Sequence, residues 1–247
     1  WCLHRHRRRC SRTRASTPRF SRCRSLCAQQ RAALDEQAGK ALLARFGMAV
    51  PQSLKVSNAS DVDAVFGKLK PPVVLKIMSP DILHKSDAGG VKVGLKSADE
   101  VKAAINAMTE SPQIKGARID GYLIEEMAPA GQEIVIGGLR DPNFGPLVMV
   151  GLGGVLTEVL HDVAHRFAPL TPDDAREMLA QLKGAKILDG YRGAPSADVD
   201  AVVDVLVRLS WLISDHKERI AEIDVNPLFV RAKGKGVVAA DALVVLR

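Results

Sequence analysis

Residues 73–95 read Val-Val-Leu-Lys-Ile-Met-Ser-Pro-Asp-Ile-Leu-His-Lys-Ser-Asp-Ala-Gly-Gly-Val-Lys-Val-Gly-Leu. Val73–Ile77 is a compact apolar run of the kind that forms a β-strand, with one cation, Lys76, in its middle. A polar glycine loop, Ser79–Gly90, follows, and a second strand is expected at Val91–Leu95. Lys76 is either an exposed edge lysine or a compact point charge set to meet phosphate oxygens. The loop favours the second reading. Gly89 and Gly90 let a backbone approach a ligand closely, and consecutive N–H groups there would cradle phosphate oxygens. It is not a P-loop, because the Gly-Lys-Ser/Thr order is missing. His84 is either an ordinary polar loop residue or, beside a phosphate loop, an acceptor of a phosphoryl group.

Working outward, Leu34, Ala38, Ala41, Leu42 and Phe46 repeat at helical spacing, with Gly47 as the stop. A short apolar segment around Leu54 and Val56 and a short helix over 61–69 complete the N-terminal side. On the other side, Ser97 and Glu100 form a capping box for a helix running to about Met108. Strands are expected at 121–127, 132–139 and 146–150, the last closed by Gly151-Leu152-Gly153-Gly154. Thr171-Pro172 starts another helix, and a long one-sided helix covers 198–214. A terminal hairpin joins 219–230 to 237–246 through Lys233–Gly236. Helices and strands mix without a regular βαβ rhythm. The fold class is therefore α+β (mixed α/β), with sheets packed by helices rather than a doubly wound parallel sheet.

Further polar groups sit at strand ends. Glu125-Glu126-Met127 closes an apolar strand; its carboxylates are either solvated or placed to accept from an adenine amino group or a ribose hydroxyl. Glu133 stands just ahead of the apolar Ile134–Ile136. In the hairpin, Glu222, Asp224 and Asn226 share a strand face, and Asp241 arrives from the paired strand. That is either a polar outer face or a cluster of hard oxygen ligands suited to Mg²⁺ held with nucleotide phosphates.

Charge divides the chain. Residues 1–31 carry ten Arg, no Lys and no acid, whereas the other 216 residues carry 25 basic and 28 acidic side chains. The overall +7 therefore says nothing about partners of the larger part. All four cysteines (Cys2, Cys10, Cys23, Cys27) lie in the first segment, at spacings that fit no usual zinc pattern. Residues 1–31 are read as a disordered Arg-rich leader: a nucleic-acid arm, a transit peptide or, the preferred reading since the chain opens at Trp1, a cloning or start-site artefact. Residues 32–247 are read as one module, cysteine-free as fits a cytoplasmic protein, with no nucleic-acid or membrane partner.

One ordered set of motifs runs through the module: Val73–Ile77, the His84–Gly90 loop, Glu125-Glu-Met-Ala-Pro129, Glu133-Ile-Val-Ile-Gly137, Arg140-Asp-Pro-Asn-Phe-Gly145, Gly151–Gly154 and Asp224-Val-Asn-Pro227. In this it resembles the ATP-grasp β subunit of ADP-forming (NDP-forming) acyl-CoA synthetases such as the acetate–CoA ligases, and more distantly the succinyl-CoA synthetase β chain. The resemblance implies an ATP-grasp fold whose two lobes enclose ATP or ADP. It implies Lys76 on phosphate and Glu125 or Glu126 on adenosine, and Gly89, Gly90, Met127 and Glu133 join them as candidate nucleotide-binding residues. By the same resemblance, Gly153 and Gly154 match a phosphate-side loop, and Asp224, Asn226 and Asp241 are expected to hold Mg²⁺. His84 likewise matches the second histidine through which phosphate passes. The implied reaction makes acyl-CoA, ADP and phosphate from a carboxylate, CoA and ATP. CoA is bound mainly by partner domains, on an α subunit or a fused CoA-binding/ligase segment, so the chain would work in a hetero-oligomer or as a fragment of a longer protein. The rival functions are an ATP-grasp carboxylate–amine ligase and a non-catalytic nucleotide-sensing module.

Overall fold

A computed structural model describes residues 33–82, 85–153, 161–191 and 193–247. In chain order the elements are α1 (Glu36–Arg45), β1 (Ser53–Val56), α2 (Val62–Phe66), β2 (Val73–Met78), β3 (Val91–Leu95), α3 (Ala98–Glu110) and β4 (Gly121–Glu126). The second half holds β5 (Gln132–Asp141), β6 (Gly145–Leu152), β7 (Val163–Phe167), α4 (Pro172–Ala180), α5 (Val199–Asp215), β8 (Ile220–Val230), β9 (Val237–Ala239) and β10 (Leu243–Leu246).

The first half builds a four-stranded sheet in the order β1-β4-β2-β3. Alternation along its strands decides what each face carries. Val73, Leu75 and Ile77 of β2 point with Tyr122 and Ile124 of β4 into a core closed by Val62, Val101, Ile105 and Met108. The register sets Leu75 opposite Ile124, Lys76 opposite Leu123 and Val74 opposite Glu125. Lys76 and Glu125 therefore share the face turned away from that core.

The second half builds a larger sheet, β10-β8-β5-β6-β7, with β9 also on β8. Its core is closed by α5, which buries Val202, Val205, Leu206, Leu209 and Ile213. The pairings within both sheets are antiparallel, in keeping with the missing βαβ rhythm. Opposite Val135 of β5, strand β8 carries two residues, Asn226 and Pro227, a bulge at the expected metal motif.

Two sequence expectations need correction, and two features lie outside them. Helix α1 forms as its spacing predicts, with Leu42 and Phe46 packed partly buried against the core, but its fully buried stripe is Glu36, Gly39, Lys40 and Leu43, because charged partners in the smaller sheet meet it. Ser97 caps α3 by accepting from the Glu100 N–H, but the Glu100 carboxylate accepts from Lys96 N–H, so the box does not close on Ser97. The C-terminal hairpin is broken at 240–242 into β9 and β10. Strand β7 was not signalled, since His165 and Arg166 interrupt its apolar pattern.

Candidate functional site

The site begins at the N-terminus of α1. Asp35 caps the helix by accepting from Ala38 N–H at 2.8 Å. The preceding residues are stitched to β10, with Leu34 N–H on Val244 O at 2.9 Å and a bridge between Ala33 and Val245. Helix α1 is thus fixed to the larger sheet, and Glu36 and Lys40, one turn apart, present their charges together.

Those charges meet the polar face of the smaller sheet. Lys76 Nζ donates to Glu36 Oε1 at 2.6 Å and lies 3.4 Å from Glu125 Oε1. Lys40 Nζ donates to Glu36 Oε1 at 2.9 Å and to Glu125 Oε2 at 2.5 Å. Lys85, in the loop after β2, donates to Glu36 Oε2 at 2.6 Å. Glu36, Lys40, Lys76 and Glu125 are only 5, 2, 6 and 2 % exposed. A buried charge is costly unless paired and hydrogen-bonded, and here each has partners.

The field inside this network is uneven. Burial drives Glu36 toward protonation, but the Lys76, Lys40 and Lys85 ammonium groups outweigh it and hold the carboxyl near 2. Burial opposes the charge on Lys76, yet Asp241, Glu36 and Glu125 together raise its pKa above the ordinary lysine value. Glu125 is pushed up, because burial and the nearby Glu36 prevail over Lys76 and Lys40. The result is a lysine kept charged out of contact with bulk water.

Lys76 also reaches the larger sheet. Its ammonium donates to Ala240 O at 2.8 Å and stands 4.0 Å from Asp241 Oδ2. The break between β9 and β10 frees that carbonyl for it. The pairings Leu228–Ala239 and Leu243–Asp224 carry one register through the break, which sets Asp241 opposite Asn226. Asp224, Asn226 and Asp241 therefore share a face, with Lys76 at its edge.

The remaining expected residues are placed differently from one another. Gly89 and Gly90 donate their N–H groups to Ser86 O and Lys85 O, at 3.1 and 2.7 Å, so they close a turn and are not a cradle. Gly90 has no room for a side chain, since a Cβ would lie 2.5 Å from Ile77 Cγ2. Glu125 points into the lysine network, whereas Glu126 accepts from Lys70 N–H at 3.0 Å and Met127 is 41 % exposed. The Glu133 side chain is exposed, and its carbonyl accepts from Gly153 N–H at 2.8 Å. A Cβ on Gly153 would lie 2.8 Å from that same peptide, which explains glycine there by packing alone. His84 and Gly154 lie outside the described residues.

Residues 25–246 match the ATP-grasp domain family. The chain is 40% identical over 222 residues to the β subunit of ADP-forming acetate–CoA ligase II of Pyrococcus furiosus, covering 89% of this chain and 94% of that one. This chain belongs to the ATP-grasp β-subunit family of ADP-forming acyl-CoA synthetases. A second family member, the ADP-forming 4-hydroxybutyrate–CoA ligase of Nitrosopumilus maritimus, is 42% identical over 210 residues, which are 84% of this chain but 30% of that longer protein. The structure of the dinucleotide-forming acetyl-CoA synthetase 1 of Ca. Korarchaeum cryptofilum, with coenzyme A, Ca-AMPCP and HgCl⁺, superposes with a TM-score of 0.82 at 40% identity, covering 88% of this chain and 95% of that one. The ATP-grasp fold and the membership of an acid–thiol ligase family follow.

The donor chemistry on the shared face fits a divalent cation of the Mg²⁺ type. Two carboxylates and an amide supply hard oxygens. Among the described residues no group of three or more His, Cys, Asp or Glu that could hold a metal ion is found. Sequence reading missed Glu36, Lys40 and Lys85 as members of the site. Glu36 and Lys40 look like a solvated i,i+4 pair on a surface helix, and no local signal marks them as buried. No helix among the described residues is long and apolar enough to cross a membrane.

Proposed function

We propose that this chain is the nucleotide-binding, phosphoryl-transferring component of an ADP-forming acyl-CoA synthetase. The full reaction joins a carboxylate to CoA with cleavage of ATP to ADP and phosphate. The observation that carries the reading is Lys76: a buried, charged ammonium spans from the smaller sheet to the break in the larger sheet, beside Asp241. A protein gains little stability from such an arrangement, and phosphate oxygens at the joint give it a use.

Lys76 is the cation at the phosphates, and Lys40, Glu36 and Glu125 position it. Glu126 and Met127, at the end of β4, supply the adenosine side. Asp224, Asn226 and Asp241 would hold Mg²⁺, which neutralises phosphate charge when bound. His84 accepts the γ-phosphoryl group: its nitrogen lone pair forms the N–P bond while the bond to the ADP oxygen breaks, and that electron pair leaves with ADP. Gly89 and Gly90 close the Lys85–Gly90 turn that follows His84 in the sequence.

The CoA-binding and ligase functions lie on an α subunit or in a longer fused chain, since this chain spans 30% of the 4-hydroxybutyrate ligase. The cysteine-free module suits the reducing cytoplasm. Reconstitution tests the assignment. With the CoA-binding partner, the chain should release ADP and phosphate only when CoA and a carboxylate are both present. Amine-dependent ADP release without CoA would instead support a carboxylate–amine ligase.

A further inference from the structure

Glu36 holds three ammonium groups at once, and they are not equivalent. Oε1 accepts from Lys40 and Lys76, whose side chains are 3 and 8 % exposed. Oε2 accepts from Lys85, whose side chain is 21 % exposed. Lys85 opens the turn that ends at Gly90. Its carbonyl accepts from Gly90 N–H at 2.7 Å, and Gly90 O accepts from Ile77 N–H at 2.8 Å. The turn is therefore fastened to β2 next to Lys76. One carboxylate thus separates a buried lysine from a lysine open to water, and the buried one stands 4.0 Å from Asp241.

That carboxylate has the charge and the acceptor geometry of a phosphate oxygen. Removing it would leave Lys40, Lys76 and Lys85 crowded together, and like charges at such separations repel strongly in a partly dry site. Lys40 and Lys76 have other buried acceptors, Glu125 and Ala240 O, which fix them in place. Lys85 has only Glu36 among its hydrogen-bond acceptors in the described structure, and a rotation of its side chain frees it.

We propose that Glu36 is a stand-in anion that pre-assembles the cations of the nucleotide site, and that a terminal phosphate of a nucleoside di- or triphosphate takes Lys85 from Glu36 on binding. This rests on the proposed nucleotide site. Glu36 is then a positioning residue that competes with the ligand for one lysine while steadying the other.

Calorimetry of Mg·ADP binding to the full chain tests it. Lys85→Met should weaken binding about tenfold, the loss of one charge-assisted hydrogen bond, with melting temperature nearly unchanged, and Lys85→Arg should restore most of the affinity. Glu36→Gln keeps the shape but removes the competitor, so the folded variant should bind Mg·ADP more tightly than the parent. A purely structural Glu36 predicts the opposite sign. If Lys85→Met binds like the parent, or folded Glu36→Gln binds more weakly, the proposal is overturned. If Glu36→Gln does not fold, the Lys85 pair of variants decides. A parent chain that binds no Mg·ADP sinks the nucleotide site and this proposal together, whereas binding that ignores Lys85 sinks this proposal alone.

Discussion

Lys40→Met removes one charge from the buried network without leaving a hole, because methionine keeps much of the volume. The Lys40 side chain is 3 % exposed, and its ammonium bridges Glu36 Oε1 at 2.9 Å and Glu125 Oε2 at 2.5 Å. After the change, Glu125 keeps only Lys76, at 3.4 Å. Removing one partner of a buried ion pair costs about 3–5 kcal/mol, because the other charge stays dry and unmatched. Domains are stable by roughly 5–15 kcal/mol, so the variant should lose about a fifth or more of its stability. At a few degrees per kcal/mol for a chain of this size, the melting temperature should fall by about 10 °C. Urea unfolding followed by circular dichroism measures the loss. A second variant, Lys40→Met with Glu125→Leu, removes both charges of one pair and should recover more than half of it. A single-variant loss below about 1 kcal/mol would place the pair among weak surface bridges and refute the buried network. A double variant no better than the sum of the single changes would do the same.

Acid should destabilise the fold in a defined window. Glu36 has its pKa lowered from the ordinary 4.5 to about 2, so its contribution is full above 4.5 and is lost as pH falls toward 2. Its size is about 3 kcal/mol at most, from the pKa difference; Glu125, with a raised pKa, works in the opposite sense and only above 4.5. Unfolding free energy measured from pH 6 to 2.5 should fall more steeply below 4.5 in the parent than in Glu36→Gln, where Asp174, also held near 2 by Thr171 and Arg166, still contributes to the fall. Gly153→Ala places a Cβ 2.8 Å from the Glu133 peptide, so stability should drop by about 1–3 kcal/mol, read by urea unfolding. Asp224→Ala should weaken Mg·ATP binding at least tenfold, more than a mere loss of surface polarity would, while the melting temperature changes little; equal affinity by calorimetry would reduce the shared face to a polar surface.

Much of the architecture was legible because it rests on alternation. The β8 pattern and the one-sided α5 announce their faces by period, and the β2 strand shows as a compact apolar run; the structure keeps all three. Lys76 stood out because a charge interrupts an apolar strand. The acceptors of that charge did not stand out. Glu36 is distant in sequence from both Lys76 and Glu125, and only the folded register brings the three together. The glycine loop misled in one respect: Gly89 and Gly90 look like a phosphate cradle, but their N–H groups close their own turn. Gly153, too, is demanded by backbone contact with Glu133, which no sequence pattern reveals.

The central claim is that phosphate from ATP passes onto this chain at His84. Incubation with γ-labelled ATP, Mg²⁺ and the CoA-binding partner measures it directly. The account predicts acid-labile, base-stable label on the parent chain, none on His84→Ala despite nearly unchanged Mg·ATP affinity, and loss of both label and affinity in Lys76→Met. Acyl-CoA formation by His84→Ala at the parent rate would contradict it.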